Sequence, residues 1–483
     1  MADSRVLEAY DLTVNKIVIK VSILSLEMEP VPLYTITVTN ISETTKVILE
    51  KIREEFISSA SKDLQEFDED ITKIQQQFKL KILVLLKKYF PTADDKTQDM
   101  LINYMLQQNI GLGNIEILLK DPNLEEIVVN SANEPVWVYH RKRGWCKSNV
   151  RLPDESRIRH YSTIIGRDVG KEITTLNPLM DAHLKTGDRI NATLSPISSR
   201  GNTLTIRKFA VKPWTITDFL KDGVLSFEAA ALLWLAVQNE LSVLIAGGTG
   251  SGKTSMLNGI STFMPPNQRL ISIEDTREIV LPEILHWVPM ETRLANPEGK
   301  GGITMLDLIV NSLRMRPDRI VVGEIRRREE AEVLFEAMRT GHSVYATLHA
   351  NNVHETINRL TTRPIDIPKE TISALSLVIV QNINRKTGKR RTLQLAEILP
   401  SGDYRIIMQN NPLKDALEYI QEPTQIFSTI SLYTGLSRDE IVEDLRNKVK
   451  ALQWMVGKGI NDVDKIGLIM SRYYQNKPFQ NVV

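Results

Sequence analysis

The chain has 483 residues, 42% apolar and 25% charged, with a formal net charge of +1. This length exceeds one ordinary core and suggests two or three domains at roughly 150 residues each, and the near-neutral balance excludes an overall field that draws the protein to nucleic acid or membrane. A single cysteine, Cys146, excludes an internal disulfide and any multi-cysteine zinc site, and suits a reducing cytoplasm.

The first residues, Met1-Ala2-Asp3-Ser4, carry an acidic side chain where a secretory signal has basic ones. Apolar stretches such as Ile82 to Leu86 are cut short by Lys81 and Lys87, so the sequence predicts a chain that does not span a bilayer by itself. Residues 1 to about 40 are rich in Val, Ile and Thr and predict a small β element. From Ser42 to about Phe90 the period turns helical, with Ile48, Ile52, Phe56 and then Ile71, Ile74, Phe78, Ile82 and Leu85 at spacings of three and four. A further helix from Gln98 to Leu106 leads to a stop at Gly111-Leu112-Gly113. Residues 1–120 are thus expected to be largely helical, either a spacer or a docking surface for a partner.

Alternating stretches such as Pro135 to His140 and Leu204 to Phe209 predict a compact α+β module over 121–211. Its basic turn Arg141-Lys142-Arg143 is a solvated hairpin or a contact for an acidic partner. Residues 212–226, with Pro213 and the turn Lys221-Asp222-Gly223, look like an interdomain linker, and Ser226 can cap a helix reaching Gln238.

The central stretch is Gly247-Gly248-Thr249-Gly250-Ser251-Gly252-Lys253-Thr254, a full match to G-x-x-x-x-G-K-[ST]. The apolar run Leu241 to Ala246 precedes it and a helical pattern follows, which gives strand, glycine loop, helix. Glycines let the backbone curl with its N–H groups inward, and the helix start adds its positive dipole end, so a polyphosphate meets donors already in place. Lys253 is expected on the β- and γ-phosphates and the Thr254 hydroxyl on Mg²⁺.

Two further strands, Arg269 to Ile273 and Arg319 to Gly323, end in carboxylates, where open α/β sheets carry their ligands. Glu324 is expected to steady Mg²⁺, and Glu274 to orient or deprotonate the attacking water. Either one instead caps a helix or pairs with an arginine. A third strand within Thr340 to Asn351 has a histidine at each end; His349 is the candidate sensor of the γ-phosphate, and His342 is expected to be structural. After residue 400 the pattern is helical, and Arg385 to Arg391 is a basic hairpin that meets lipid head groups or a partner, or is a solvated turn.

Taken in order, the phosphate loop, Ile271 to Glu278, Met315 to Arg326 and Thr340 to Asn351 resemble the phosphate loop, aspartate box, second acidic motif and histidine box of the secretion ATPase superfamily. Upstream, Asp121 to Ile127 and Thr205 to Phe209 are similar to that family's N-terminal module, so the resemblance covers roughly 100–400. It looks most like archaeal members that power type IV pili or the archaellum; the four-cysteine zinc insertion of many bacterial type II members has no counterpart in a chain with one cysteine.

The resemblance implies an α/β fold: a RecA-like P-loop NTPase domain over 227–483, preceded by the smaller α+β module and the N-terminal, mainly helical region. It implies a homo-hexameric, Mg²⁺-dependent ATPase with ATP held between module and P-loop domain. Arg189 and Arg207 match the family positions that reach the phosphates, with Arg314, Arg316 and Arg326 as competitors for that task. The expected partners are a polytopic membrane platform protein and, indirectly, pilin-like subunits, at the inner face of the cell membrane with peripheral association; nucleic acid is not favoured. The rivals are a related ring ATPase that moves DNA or conjugation substrates, and a non-hydrolysing nucleotide switch.

Overall fold

The β-branched runs at the start of the chain form long antiparallel strands: β1 (Ser4–Val14), β2 (Ile17–Leu26) and β3 (Leu33–Val38). Val21 and Ile23 alternate with polar Lys20 and Ser22 along β2 and are fully buried, which is the period of a strand with one face in a core. The computed structural model describes residues 4–63, 71–109, 112–184, 186–209, 213–293, 295, 299–475 and 477–478. It divides into two units, Met1–Val211 and Lys212–Val483.

In the first unit three helices follow the strands: α1 (Glu43–Asp63), α2 (Ile71–Tyr89) and α3 (Asp95–Asn109). Ile52, Phe56, Ile82, Leu86, Leu101 and Met105 bury against one another there, as the helical spacing predicts. The side chains of Ile71, Ile74 and Phe78, and Gly111 of the expected stop, lie outside the described residues. Next come α4 (Asn114–Lys120), β4 (Leu124–Val129), β5 (Trp137–His140), β6 (Gly144–Ser148), α5 (Glu155–Asp168), β7 (Leu179–His183), β8 (Arg189–Thr193) and β9 (Thr203–Arg207).

All nine strands of this unit join one sheet in the order β1-β2-β3-β6-β5-β4-β9-β8-β7. The separation expected at 120/121 therefore gives way to a single unit, because β3 pairs in parallel with β6 through Leu33↔Lys147 and Tyr34↔Ser148. Asp121 reinforces the join: it is fully buried and accepts from the hydroxyls of Tyr10 on β1 (2.5 Å) and Tyr34 on β3 (2.6 Å). In the basic turn after β5, Lys142 and Arg143 are exposed, and Arg143 donates to the Leu7 carbonyl (2.9 Å) and to Glu8 (3.3 Å) of the same unit.

The second unit begins with α6 (Ile216–Lys221) inside the stretch that reads as a linker. Thr215 caps it, and Ile216, Phe219 and Leu220 bury in this unit's core, so most of 213–226 is packed structure. Helix α7 (Phe227–Gln238) follows with Ser226 as its cap; Ala229 to Val237 are buried on every side, the pattern of a helix inside a core. The rest of the unit runs β10 (Val243–Gly247), α8 (Lys253–Ser261), β11 (Arg269–Glu274), β12 (His286–Glu291), α9 (Met305–Leu313), β13 (Arg319–Val322), α10 (Arg328–Arg339), β14 (Ser343–Leu348), α11 (Val353–Thr361), β15 (Leu377–Ile383), β16 (Arg390–Ile398), β17 (Tyr404–Asn411), β18 (Ala416–Tyr419), α12 (Gln425–Thr434), α13 (Arg438–Gly457) and α14 (Val463–Tyr474).

Its sheet has the order β12-β11-β13-β14-β10-β15-β16-β17-β18. The six strands β12 to β15 in that order pair in parallel, and the remaining three continue antiparallel. Strands β10, β13 and β14 are buried along their whole length, as continuous apolar runs covered by helices must be. The phosphate loop thus leaves the carboxyl end of a central strand, with β14 on one side and β15 on the other, in an α/β domain of P-loop type. Among the described residues no helix is long and apolar enough to cross a membrane.

Candidate functional site

The phosphate loop bridges β10 and α8, and its shape depends on glycine. Gly250 (φ +75°) and Gly252 (φ +92°) lie in the left-handed region, and Gly252 is the residue that opens α8. A Cβ at Gly247 would stand 2.4 Å from Ser251 Oγ and 2.6 Å from the Gln381 carbonyl oxygen, so the first glycine is required by packing. Ser251 Oγ donates to the Gly248 carbonyl at 2.8 Å, and Lys253 Nζ donates to the same oxygen at 3.1 Å. Lys253 and Thr254 sit in the first turn of α8.

The parallel strands bring the other predicted groups to the same sheet edge. Glu324 lies just past β13 and His349 just past β14; His349 Nε2 is 3.2 Å from Glu324 Oε1 and 3.4 Å from Lys253 Nζ. Burial, and then the Lys253 cation, hold the His349 imidazole below its usual pKa against the pull of Glu324, so it is neutral near pH 7. The other Glu324 oxygen accepts from Arg326 Nε at 2.8 Å, and Arg326 also reaches Asp275. Arg326, one of the competing arginines, is therefore held between two carboxylates.

Glu274 ends β11 and is 2% exposed. Its Oε1 accepts from the backbone N–H of Glu278 (2.8 Å) and Ile279 (3.0 Å), while Oε2 is buried with no hydrogen-bond partner among the described residues. Burial pushes this carboxyl up to about 7, and the two backbone donors oppose the shift. Part of the capping alternative holds, since one oxygen serves the following turn; the other is buried and has no hydrogen-bond partner among the described residues.

Arg189 and Arg207 lie in the first unit, paired directly across β8 and β9 and both exposed. Arg189 grips Asp181 with two bonds, at 2.9 and 3.3 Å. His342, expected to be structural, directs its backbone N–H and ring at the carbonyl of Ala337 in the last turn of α10. Arg314 and Arg316 are exposed beyond the end of α9.

Three neighbours of the site have no role in the sequence reading, although two of them, Asp275 and Asn351, lie within the quoted motifs. Asn351 Oδ1 lies 3.2 Å from where a Gly248 Cβ would stand. Asp275 is tied into the Glu324 cluster through Arg326. Arg390, within the basic hairpin and half-buried, donates Nε to the Gly250 carbonyl at 2.9 Å, so this member of the hairpin is tied to the phosphate loop. Its basic character was plain in the sequence, but nothing local announced the loop as its neighbour.

The donor set fits Mg²⁺ held with a nucleotide. Among the described residues no three His, Cys, Asp or Glu side chains converge on a metal position. A cation beside Thr254 and Glu324 would take its remaining ligands from phosphate and water, which is how Mg²⁺ is usually bound.

A sequence model of the type II/IV secretion system protein family matches residues 108–416, more than half of the chain. An uncharacterised protein of Methanocaldococcus jannaschii is 32% identical over 457 residues, covering 89% of this chain and 82% of that one. The type IV secretion system protein PtlH of Bordetella pertussis is 29% identical over 317 residues, covering 58% of this chain and 91% of PtlH. Among solved structures, the ATPase DotB of Legionella pneumophila aligns with 20% identity and a TM-score of 0.45, covering 76% of this chain and 92% of DotB.

Proposed function

The chain belongs to the type II/IV secretion system protein family, and from that premise we propose that it is a Mg²⁺-dependent ATPase whose hydrolysis powers protein assembly or secretion at a membrane. The observation that supports this most strongly is the meeting of three motifs around one atom: Lys253 of the phosphate loop and Glu324 of the second acidic motif both lie within 3.4 Å of His349 Nε2. A glycine-rich turn without a ligand has no need of such a cluster.

In the proposed reaction the loop N–H groups and Lys253 bind the β- and γ-phosphates; Thr254 and Glu324 would hold Mg²⁺, which would supply positive charge against the transferring group. Glu274 Oε2 takes a proton from water as its oxygen bonds to the γ-phosphorus; the bond to the β–γ bridging oxygen breaks and ADP leaves. His349, neutral, senses the γ-phosphate beside Lys253. Arg189 and Arg207 are assigned the role of offsetting phosphate charge on the strength of the family motifs. A hexameric ring, a polytopic membrane platform partner, pilin-like cargo and a place at the inner membrane face complete the proposal.

The test is steady-state ATPase activity against protein concentration for wild type, Glu324→Gln and Arg207→Ala, with mass from light scattering. Activity per subunit that rises as hexamers form and is lost in both variants is the expected result. A monomer that turns over normally with Arg207→Ala removes that arginine and the ring from the mechanism, and a wild type that binds ATP without hydrolysing it leaves a nucleotide switch.

A further inference from the structure

The hairpin between β15 and β16 passes directly by the phosphate loop. Gly247 pairs with Gln381 on β15, and Gln381 with Thr392 on β16, so the sheet itself fixes the hairpin beside the loop. Gln381 Nε2 donates to Thr392 Oγ1 at 2.9 Å and locks the pairing in a buried position.

The basic side chains of this hairpin have different fates. Arg391 forms a two-point bond to Asp415, with both nitrogens 2.7 Å from its oxygens, and Lys389 lies 3.4 Å from the same carboxylate. Arg390 has no carboxylate partner among the described residues. Among the described residues its guanidinium makes one hydrogen bond, Nε to the Gly250 carbonyl, and its Cδ lies 3.6 Å from where a Gly252 Cβ would be. A guanidinium with five N–H donors has thus used one of them on the phosphate loop and keeps its charge uncompensated there.

A loop of this kind turns its N–H groups toward the anion and its carbonyls outward. Arg390 braces the loop through the Gly250 carbonyl and adds a full positive charge to the partial charges of the N–H groups. We propose that Arg390 is a polyphosphate-binding residue, which holds the loop through Nε and gives Nη1 and Nη2 to phosphate oxygens of the bound nucleotide. This rests on the site being one for ATP. It makes the β15–β16 hairpin part of the nucleotide site, and Asp415 the group that keeps Arg391 and Lys389 from competing with Arg390 for phosphate.

The test is calorimetric binding of Mg·ADP, Mg·ATP and inorganic pyrophosphate to the full chain. Wild type, Lys253→Ala, Arg390→Ala and Arg390→Lys are compared at about 0.05 M and about 0.3 M salt, which brackets strong and weak screening. Arg390→Ala is expected to weaken all three ligands by a similar factor, about tenfold, as for a lost charge-assisted contact. Its binding should also depend less on salt, and Arg390→Lys should recover the greater part. Unchanged binding by Arg390→Ala overturns the proposal. So does a loss confined to the nucleotides with pyrophosphate unaffected, which would make the contact one to the nucleoside. A loss that Arg390→Lys does not relieve, with unaltered salt dependence, reduces Arg390 to a brace of the loop. A wild type that fails to bind Mg·ATP instead removes the ATP reading itself, which sets that failure apart from these.

Discussion

Lys253 Nζ and His349 Nε2 stand 3.4 Å apart although 96 positions separate them in sequence. The same nitrogen is 3.2 Å from Glu324, so one imidazole links the lysine proposed to bind phosphate to the carboxylate proposed to hold Mg²⁺. With its pKa depressed, the imidazole has a single ring proton, and a neutral Nε2 either donates to Glu324 or accepts from Lys253. The γ-phosphate, by drawing Lys253 toward itself, would decide between them.

His349→Ala is expected to lower kcat by about 10²-fold while changing the affinity for ADP less than threefold, the pattern of an interaction used in the transition state. Steady-state kinetics beside equilibrium ADP binding check this. An equal loss in both would assign His349 to ground-state binding.

Glu274 predicts both a pH limb and a stability change. As the base it must be ionised, so kcat/KM should rise with pH through about 7 and then level off. Stability runs the other way. The raised folded pKa means that, as pH climbs from the unfolded carboxyl value of about 4.3 through about 7, the unfolded chain releases a proton the folded chain retains, and stability falls. Glu274→Gln should therefore lose about 10²-fold or more in kcat, lack the limb, and above neutral pH be more stable than wild type by on the order of 1–3 kcal/mol. Denaturant titrations at several pH values measure the second part; a destabilised Glu274→Gln protein at pH 8 would contradict the assignment of the shift to burial.

Glu324→Gln should raise the Mg²⁺ concentration for half-maximal activity about tenfold or more, and leave Mg²⁺-free nucleotide binding close to wild type. Metal titrations of activity and of binding separate the two. An unaltered Mg²⁺ requirement would leave Glu324 with only its bonds to Arg326 and His349.

Gly247→Ala should abolish nucleotide binding and cost about 1–3 kcal/mol, because one of the atoms its Cβ meets, 2.6 Å away, is a backbone carbonyl oxygen of the neighbouring strand that cannot turn aside. Gly250→Ala has open space but a left-handed φ, so its cost is one of strain. If Gly247→Ala bound ATP normally, the tight approach to Gln381 would not matter.

Asp121→Ala removes the acceptor of two tyrosine hydroxyls in a buried position, so the first unit should lose about 2–4 kcal/mol, against about 1 kcal/mol for Tyr10→Phe. Denaturant unfolding followed in both units should show the transition of residues 1–211 moving to lower denaturant while that of the second unit stays. A common shift of both transitions would mean the two units unfold as one.

Local chemistry was legible in the sequence: the phosphate loop with its strand and helix, the carboxylates ending β11 and β13, the histidine after β14, and the Ser226 cap of α7. Each depends on residues a few positions apart, where periodicity, glycine and hydrogen-bonding side chains act directly on the backbone. Strand pairing decided the rest, because a ladder joins residues that no short-range pattern relates. It set Gly247 against Gln381 and so brought Arg390 to the loop, and it placed β3 beside β6, so that the first strands and the α+β module share one sheet. Glu274 shows the division within one residue. Its position at a strand end is written in the sequence, but its pKa near 7 comes from burial and an unmatched oxygen, which only the packed structure creates.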